Sequence, residues 1–270
     1  MKTYTKASLI AALHDIAKRG WIPNGRHGNH GGIGNTLEDL LGIKENNLPI
    51  PNAAEWELKA QRITTSSLTT LFHSEPSPTA LKLIPTLLLP KYGWPHQQAG
   101  KKYSDNELSF RQTIGGAAPS DRGFIVKIDR AERKVLISFD ASKVSVAHET
   151  WLHSIKQRAG LGELDPTPYW GFDDLMHKVG TKLLNCFYVQ AEVKQVDGRE
   201  YYRYVKATKL QRFSFDGFIQ GLESSIIFVD IDARTGHNHG TKFRIKQHYL
   251  PTLYEEATVV MDMTSEKLAA

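Results

Sequence analysis

A short stretch at residues 55–61 alternates polar and apolar side chains with a period of two, which predicts a half-buried β-strand. Such a strand places Glu57 and Lys59 on one face and Trp56 and Leu58 on the other. A carboxylate and an ammonium group two residues apart on one strand face lie within a few ångströms of each other. The pair is therefore a candidate for chemistry that uses an acid and a cation together.

The dipeptide Pro51-Asn52 precedes this strand and adds a turn and one more oxygen ligand, which gives the pattern Pro-Asn-x4-Glu-x-Lys. The pattern resembles the metal site of nucleases, Pro-Asp-xn-(Asp/Glu)-x-Lys, with Asn52 where the aspartate is expected. Two carboxylates hold a hard cation such as Mg2+, which polarises a phosphoryl oxygen and activates a bound water. The lysine orients that water or offsets developing charge. The alternative is a solvated Glu-x-Lys pair on an edge strand, which is a common arrangement.

Composition and charge are those of an ordinary globular protein. The 270 residues suffice for one domain or two lobes, and 40% hydrophobic with 23% charged residues excludes wholesale disorder. Lys and Arg number 34 against 29 Asp and Glu, and the pI is about 9.1. This excess is compatible with a phosphate-backbone partner without requiring one.

A few residues bear on the cellular compartment of the protein and on its C-terminal segment. The single cysteine, Cys186, excludes an internal disulfide and favours a reducing cytoplasm. The longest apolar run, residues 81–89, is interrupted by Pro85 and is too short to cross a bilayer, so no membrane partner is expected. Residues 267–270 resemble a vector-derived tail.

The N-terminal part predicts two helices around a glycine-rich loop. An amphipathic helix spans residues 6–19, and the loop at 26–34 either lets a backbone approach a ligand or is a plain connector. The second helix is predicted to start at Asn35-Thr36, which places Glu38 in its first turn. There Glu38 either interacts with the helix dipole or is a further active-site acid.

The remaining chain interleaves strands and helices. The predicted elements are an irregular segment at 74–105, a hairpin over 124–139, helices at 147–158 and 172–183, a hairpin turning at Asp197-Gly198, a helix near 214–223, a strand at 226–232, a loop of His, Gly and Asn, and a short strand through 243–245. This order favours a mixed α/β or α+β fold over a doubly wound parallel sheet. A break within 74–105 or 140–150 would separate two lobes.

Charged and imidazole side chains crowd into fifteen residues near the C-terminus: Asp230, Asp232, Arg234, His237, His239, Lys242 and Arg244. Arg and Lys match the N7 and O6 acceptors of guanine, and carboxylates accept from cytosine N4, so the set suits G·C pairs read in the major groove. One alternative is a metal site at His237-x-His239, for which no third ligand at a known spacing is present. The other is a solvated polar loop.

Several short motifs follow one another in order along most of the chain. They are Gly34-Asn35-Thr36-Leu37-Glu38-Asp39-Leu40-Leu41, Glu45-Asn46-Asn47-Leu48, Glu57-Leu58-Lys59, Ser67-Leu68-Thr69-Thr70-Leu71-Phe72-His73, Tyr201-Tyr202-Arg203-Tyr204, Val229-Asp230-Ile231-Asp232, and His237-Asn238-His239-Gly240-Thr241-Lys242-Phe243-Arg244-Ile245. In their order and spacing these motifs resemble the MvaI/BcnI family of restriction endonucleases, which is related to the mismatch-repair nicking enzyme MutH.

The resemblance implies a PD-(D/E)XK, MutH-like core with two lobes around a DNA cleft. Residues 1–145 are expected to form mainly the catalytic lobe with the metal-site strand, and residues 146–266 mainly the DNA-recognition lobe. The expected enzyme is a monomer that uses Mg2+ to cleave double-stranded DNA at CCNGG-like sites, with Ca2+ as a substitute in a non-cleaving complex. A cognate DNA methyltransferase would belong to the same restriction-modification system without being a physical partner.

The resemblance also assigns residues. The active-site positions are Glu38, Asn52, Glu57 and Lys59, with Asn52 and Glu57 as metal ligands. The expected DNA-binding residues are Arg62, His73, Asp230, Asp232, His237, His239, Lys242 and Arg244. His73 matches the BcnI-like branch, in which a histidine reads the central base pair, and the Gly240-Thr241 context is closer to the MvaI-like branch. Asp232 lies where the MvaI-like branch has an arginine, and Asn238 lies where both branches have an aspartate.

Asn52 has two interpretations. It is either an engineered replacement of aspartate that allows DNA to be bound without being cut, or a natural asparagine.

Two rival functions follow from the same residues: a MutH-like enzyme that nicks one strand in mismatch repair, and a sequence-specific DNA-binding protein whose nuclease site has decayed.

Overall fold

The computed structural model describes residues 4–26, 32–43, 56–63 and 66–265. Asn52, most of the glycine-rich loop, the Glu45–Leu48 motif and the tail at 267–270 lie outside the described residues. Within them the fold is mixed α/β, as predicted from the order of strands and helices. The helices are α1 (Lys6–Lys18), α2 (Gly32–Leu41), α3 (Leu89–Tyr92), α4 (Glu149–Arg158), α5 (Phe172–Lys182) and α6 (Phe215–Glu223).

The strands occur in the same part of the chain and pair mainly antiparallel. They are β1 (Ile22–Pro23), β2 (Glu57–Arg62), β3 (Leu68–His73), β4 (Trp94–Pro95), β5 (Leu108–Ile114), β6 (Arg122–Asp129), β7 (Lys134–Val144), β8 (Tyr169–Gly171), β9 (Asn185–Val196), β10 (Arg199–Phe213), β11 (Ile227–Arg234), β12 (His237–Lys246) and β13 (Tyr254–Asp262). The described residues arrange these strands in three sheets.

The first sheet has the order β1-β10-β9-β2, and β13 also pairs with β10. The strand β2 lies at its edge and pairs with β9 in parallel, which sets Glu57 opposite Cys186 and Lys59 opposite Tyr188. One face of this sheet packs against α1 and α2, because both helices place their apolar stripes in the same core as Leu58. That core fixes the side of β2 from which the polar residues must project.

The second sheet, β3-β12-β11-β5-β4, is antiparallel throughout, and the third joins β6, β7 and β8. The strand β11 alternates buried and partly exposed residues along its whole length, since one face covers a core and the other does not. The same alternation holds in β12 from Thr241 onward. This sheet therefore carries a continuous polar face.

The chain divides into two compact units that interleave along the sequence. The first unit comprises Met1–Ser67, His177–Phe215 and Gln247–Ala270, and the second comprises Leu68–Met176 and Asp216–Lys246. The units interleave because sheet pairing joins distant segments of the chain, and the assignment of a catalytic and a recognition lobe stays a prediction. The edge strand β2 needs β9 as its partner, and β10 needs β13, so the first unit draws on both ends of the chain.

Local predictions are confirmed where the side-chain pattern is periodic. The helix α1 begins after Thr5, whose hydroxyl accepts from the Ser8 amide in a capping box. Both predicted hairpins are present, β6-β7 and β9-β10. The second turns at Asp197 and Gly198, with φ of 49° and 75°, as a type I′ turn requires.

Three local predictions are wrong. The helix α2 is already formed at Gly32, so Thr36 lies inside it and accepts from the Gly25 amide, and Glu38 is not in the first turn. The loop predicted at His237–Gly240 belongs to β12, because the chain already reverses before His237. Part of the irregular segment 74–105 is helical over Ile84–Tyr92, with Leu87 and Leu88 buried.

No helix among the described residues has the length and apolar character needed to cross a membrane.

Replacing Gly198 by alanine tests the turn that joins β9 to β10. No atom lies within 4 Å of a Cβ built at Gly198, so the positive φ alone opposes the change, and a loss of roughly 1–2 kcal/mol in the free energy of unfolding is expected. Gly180, in the helix α5 with equally open surroundings, is the matched control, and alanine there should stabilise by roughly 0.5–1 kcal/mol. The free energy of unfolding of both variants is measured by urea denaturation. Equal changes in the two variants would contradict the turn assignment.

Candidate functional site

The strand β2 is anchored by its apolar face. Trp56, just before the strand, and Leu58 are buried in the helix-covered core, and the Trp56 ring lies 4.7 Å from the ring of Phe187. Because side chains alternate along a strand, this anchoring sends Glu57 and Lys59 to the opposite face. The predicted assignment of faces is confirmed.

Glu57 and Lys59 form a buried ion pair. The Lys59 Nζ lies 2.8 Å from Glu57 Oε1, and the side chains are 16% and 2% exposed, respectively. The alternative of a solvated pair on an edge strand is therefore wrong, although β2 does lie at the edge of its sheet. A buried carboxylate is costly unless it is paired, so this face of β2 is built to hold a charge.

The second oxygen of Glu57 distinguishes this pair from a purely structural one. Glu57 Oε2 is buried and has no hydrogen-bond partner among the described residues. Buried acidic oxygens are normally satisfied by donors or coordinate a metal ion. The donor chemistry, an acidic oxygen beside an amine, thus fits a hard cation. The described residues contain no group of three candidate metal ligands, and Asn52 lies outside them.

The sequence did not predict which polar side chains lie near the Glu57–Lys59 pair. Cys186 and Tyr188 on β9 share the face of Glu57 and Lys59, and Tyr254 and Gln247 are buried in the same unit. Burial, with the nearby charge of Glu57, raises the pKa of the Cys186 thiol to about 12.

These neighbours stay protonated at neutral pH. Burial raises the pKa of Tyr188 to about 12 and that of Tyr254 well above its usual range. They therefore act as neutral groups of a poorly solvated layer in which the ion pair is strengthened. The signal for them in the sequence was the alternation of Cys186 and Tyr188 with the core residues Phe187 and Val189.

The other predicted residues of the first unit are placed as follows. Glu38 lies half-buried on α2, whose Leu37 and Leu41 enter the same core as Leu58. The Arg62 Nη2 atom donates to both carboxylate oxygens of Glu200, at 2.8 and 3.0 Å. The roles of Glu38 in catalysis and of Arg62 in DNA binding stay predictions.

The second constellation lies on the polar face of the second sheet. Val229, Ile231, Phe243 and Ile245 are buried on the core side. The intervening residues project from the other face, which we call the β11–β12 polar face; it carries Asp230, Asp232, Lys242 and Arg244. The predicted cluster is thus brought together on a sheet surface and not in a loop.

Hydrogen bonds order this polar face. Arg244 donates through Nη1 to Asp230 Oδ2 at 3.1 Å and through Nη2 to the Leu68 carbonyl at 2.8 Å. The Thr113 hydroxyl donates to Asp230 Oδ1 at 2.8 Å. Both carboxylate oxygens of Asp230 are therefore occupied by protein donors.

The neighbouring strand β5 adds a residue that sequence reasoning missed. Arg111 binds Asp232 through two parallel hydrogen bonds, Nε to Oδ1 at 2.9 Å and Nη2 to Oδ2 at 3.0 Å. These hydrogen bonds raise the pKa of Arg111 above its usual range. The exposed positions 111 and 113 between buried residues were a signal for a polar strand face, but the pairing of β5 with β11 was not visible in the sequence.

The histidines lie around the same sheet. His73 ends β3 and pairs in register with Lys242. His237 and His239 are exposed, with ring centroids 4.2 Å apart. A metal site at this pair finds no support, because the described residues supply no third ligand.

The family model and the solved structures that match this chain agree with each other. A sequence model described as the MvaI/BcnI restriction endonuclease family matches residues 10–254. The solved structure "Restriction endonuclease MvaI-cognate DNA substrate complex" is 26% identical with a TM-score of 0.76, covering 96% of this chain and 100% of that chain. "Restriction endonuclease MvaI in the absence of DNA" is 25% identical with a TM-score of 0.53, covering 97% and 100%. A comparison with curated protein sequences gave no match.

Replacing Lys59 by methionine tests the buried ion pair. The variant leaves the Glu57 carboxylate buried without its cation, so the free energy of unfolding should fall by about 3–5 kcal/mol when measured in EDTA. The double variant Lys59→Met/Glu57→Gln should regain most of that loss. As a control, Lys18→Met breaks a pair that is 4.0 Å long and 70% exposed, and should cost less than about 1 kcal/mol. Equal losses at the two lysines would contradict the assignment.

Proposed function

Because the chain belongs to the MvaI/BcnI restriction endonuclease family, we propose that it is built for Mg2+-dependent cleavage of both strands of DNA at a CCNGG-like pseudopalindrome. A type II restriction endonuclease, a site-specific DNA hydrolase, is the function that the family assigns. The metal, the site and the order of strand cleavage are the finer points of the proposal.

The observation that carries the catalytic part is the Glu57–Lys59 pair. One oxygen of Glu57 is held by the lysine amine, and the other is buried without a partner among the described residues. A hard cation takes such an oxygen as a ligand. Glu57 and the residue at position 52 would hold Mg2+, which when bound polarises a phosphoryl oxygen and lowers the pKa of a bound water.

The side chains of this chain divide the remaining work. The Lys59 amine, fixed by Glu57, orients the attacking water and offsets the negative charge that develops on the phosphoryl group. Glu38 supports the site as an additional acid. Attack of water on phosphorus with cleavage of the P–O3′ bond would leave the phosphate on the 5′ end of one fragment. The departing 3′-oxygen would take up a proton and become the 3′-hydroxyl of the other fragment.

The β11–β12 polar face supports sequence recognition. It mixes carboxylates with cations, and this mixture matches base edges, where cytosine N4 donates and guanine N7 and O6 accept. In the proposed complex Asp230, Lys242 and Arg244 read the outer G·C pairs, and His73 reads the central pair. The solved MvaI complex with cognate DNA supports DNA as the partner.

A monomer with one such site cuts one strand at a time. After the first strand is cut, the protein must release and rebind in the opposite orientation to reach the second strand of the pseudopalindrome. This sequence of events predicts a nicked intermediate.

Asn52 decides whether the chain as it stands is active. An amide oxygen still contacts Mg2+, but it lacks the negative charge that fixes the ion. We infer that Asn52 replaces an aspartate and leaves a protein that binds its site and does not cut it. A DNA-binding protein with a natural asparagine is the second candidate, and Asn52 itself favours it.

The variant Asn52→Asp separates these two candidates. On plasmid DNA with Mg2+ it should cut at least about 100-fold faster than the parent chain, since a lost ligand charge removes several kcal/mol of transition-state stabilisation. Asn52→Asp/Lys59→Met is the matched control and should remain inactive while retaining DNA binding. If Asn52→Asp and the parent cut equally fast, replacement of an aspartate is disproved, and if neither cuts, the binding protein is favoured.

Strand order is tested on a supercoiled plasmid that carries one site. The Asn52→Asp protein should convert it first to the open circle and then to the linear form, and both rates should be independent of any repair protein. Direct appearance of linear DNA with no open circle at limiting enzyme would contradict a monomer that cuts the strands in turn.

A further inference from the structure

The Arg111–Asp232 pair combines an ordered geometry with high exposure. Two parallel hydrogen bonds of 2.9 and 3.0 Å join the groups, as in a bidentate arginine–carboxylate pair. The Arg111 side chain is nevertheless 68% exposed, and Asp232 is 23% exposed. The pair therefore presents an oriented guanidinium to the outside of the β11–β12 polar face.

Fold stability is a weak reason for this arrangement. Exposed ion pairs contribute little, because solvent screens the charges and ordering two long side chains costs entropy. The strands β5 and β11 are already joined by backbone hydrogen bonds from Ser109 to Ile114. What the pair does provide is a fixed direction for the guanidinium.

Some N–H groups of the Arg111 guanidinium are hydrogen-bonded to the protein, and the others are open to solvent. Asp232 occupies Nε and one hydrogen of Nη2. Among the described residues no acceptor is hydrogen-bonded to Nη1, so one of its hydrogens and the second hydrogen of Nη2 form an open end-on edge. This edge carries two parallel donors, which match the N7 and O6 acceptors of guanine.

The neighbouring charges favour a base over a phosphate as its contact. Asp230 and Asp232 lie on the same face as Arg111, together with the cations Lys242 and Arg244, so the charge of this face is mixed. A phosphate-binding surface is uniformly basic, whereas base edges in the major groove alternate donors and acceptors. Thr113, bound to Asp230, extends the same ordered pattern along β5.

We propose that Arg111 is a specificity-determining residue that contacts the major-groove edge of a guanine, with Asp232 as the residue that positions it. Asp232 then acts through Arg111 and does not itself accept from a cytosine, which differs from the role expected from the sequence. The proposal rests on the proposed function and adds a reading residue from β5, outside the motifs that carry the family resemblance.

The experiment begins with the unmodified protein. Selection from random duplexes at fixed salt identifies its binding site, and each guanine of that site is then replaced singly by 7-deazaguanine, which lacks the N7 acceptor. The same duplexes are titrated with Arg111→Ala, Arg111→Lys and Asp232→Asn. At one guanine position, Arg111→Ala should weaken binding about 5- to 150-fold on the normal duplex, with little further loss on the 7-deaza duplex.

Asp232→Asn should show the same coupling at the same guanine with a smaller loss, because the guanidinium remains but is no longer held. Arg111→Lys should also lose affinity there, since a lysine lacks the planar fork. The matched control is Arg130→Ala: Arg130 is 62% exposed and its Nη2 lies 2.8 Å from Glu223, but it lies outside the polar face. Its binding profile should equal that of the parent, and thermal unfolding checks that every variant is folded.

Three results overturn the proposal. If the losses in binding free energy from Arg111→Ala and from 7-deazaguanine are additive at every guanine position, Arg111 does not contact a guanine N7. Equal weakening on cognate and random DNA, with a shallower salt dependence, makes Arg111 a phosphate contact. An unchanged profile for Asp232→Asn removes the positioning role. If the parent protein selects no sequence at all, the proposed function fails together with this inference, whereas selection of a site that Arg111→Ala leaves unchanged overturns this inference alone.

Discussion

The burial of one carboxylate beside one ammonium group on the edge strand β2 constrains the rest of the first unit. Glu57 is 2% exposed, and an acid so deeply buried requires a partner charge and a dry surrounding that keeps the partner in place. Lys59 provides the charge, because residues two apart on a strand are neighbours on the same face and Lys59 therefore lies next to Glu57. The core behind Trp56 and Leu58 provides the rigidity, since any rotation of the strand would bring these apolar groups into water.

The two polar faces of the molecule use ion pairs in opposite ways. Behind β2 the pair is buried, and neighbours such as Cys186 and Tyr188 remain neutral, so the local field is strong and has few screening charges. On the β11–β12 polar face the Arg244–Asp230 pair is partly buried, whereas Arg111, which is paired with Asp232, is exposed. The value of the exposed pair lies in the direction it gives the guanidinium more than in its contribution to stability. A low dielectric strengthens the electrostatic interactions that stabilise a transition state. Exposed donors with a fixed direction suit hydrogen bonding to base edges.

Sequence patterns predicted the elements whose determinants are local. The alternation in β2, the turn at Asp197-Gly198 and the stripe of α1 each depend on neighbours within a few residues, and each is confirmed. The start of α2 was misplaced because Gly32 and Gly34 are poor helix formers that tertiary packing overrides. The loop expected at His237–Gly240 was wrong for a similar reason: polar composition indicated a loop, while pairing with β11 made a strand.

Long-range pairing set the limit of prediction at both candidate sites. The parallel register of β2 with β9 brings Cys186 beside Glu57 across more than a hundred residues, and the sequence contained no signal for that partner. The same holds for Arg111, which reaches Asp232 across 121 positions in the chain. Motifs indicated which residue types would do chemistry, whereas the supporting groups came from strands with no motif of their own.

Charge balance explains why position 52 matters more to the proposed metal site than its amide oxygen alone would indicate. Glu57 and Lys59 neutralise each other within 2.8 Å, so the described part of the site offers a ligand oxygen but no net attraction for a cation. A divalent ion therefore depends on the second acid for the negative charge that binds it. An aspartate at position 52 supplies that charge, and Asn52 supplies an oxygen without it. The lysine to which we assign a catalytic role thus makes the proposed site unusually sensitive to a single change from carboxylate to amide.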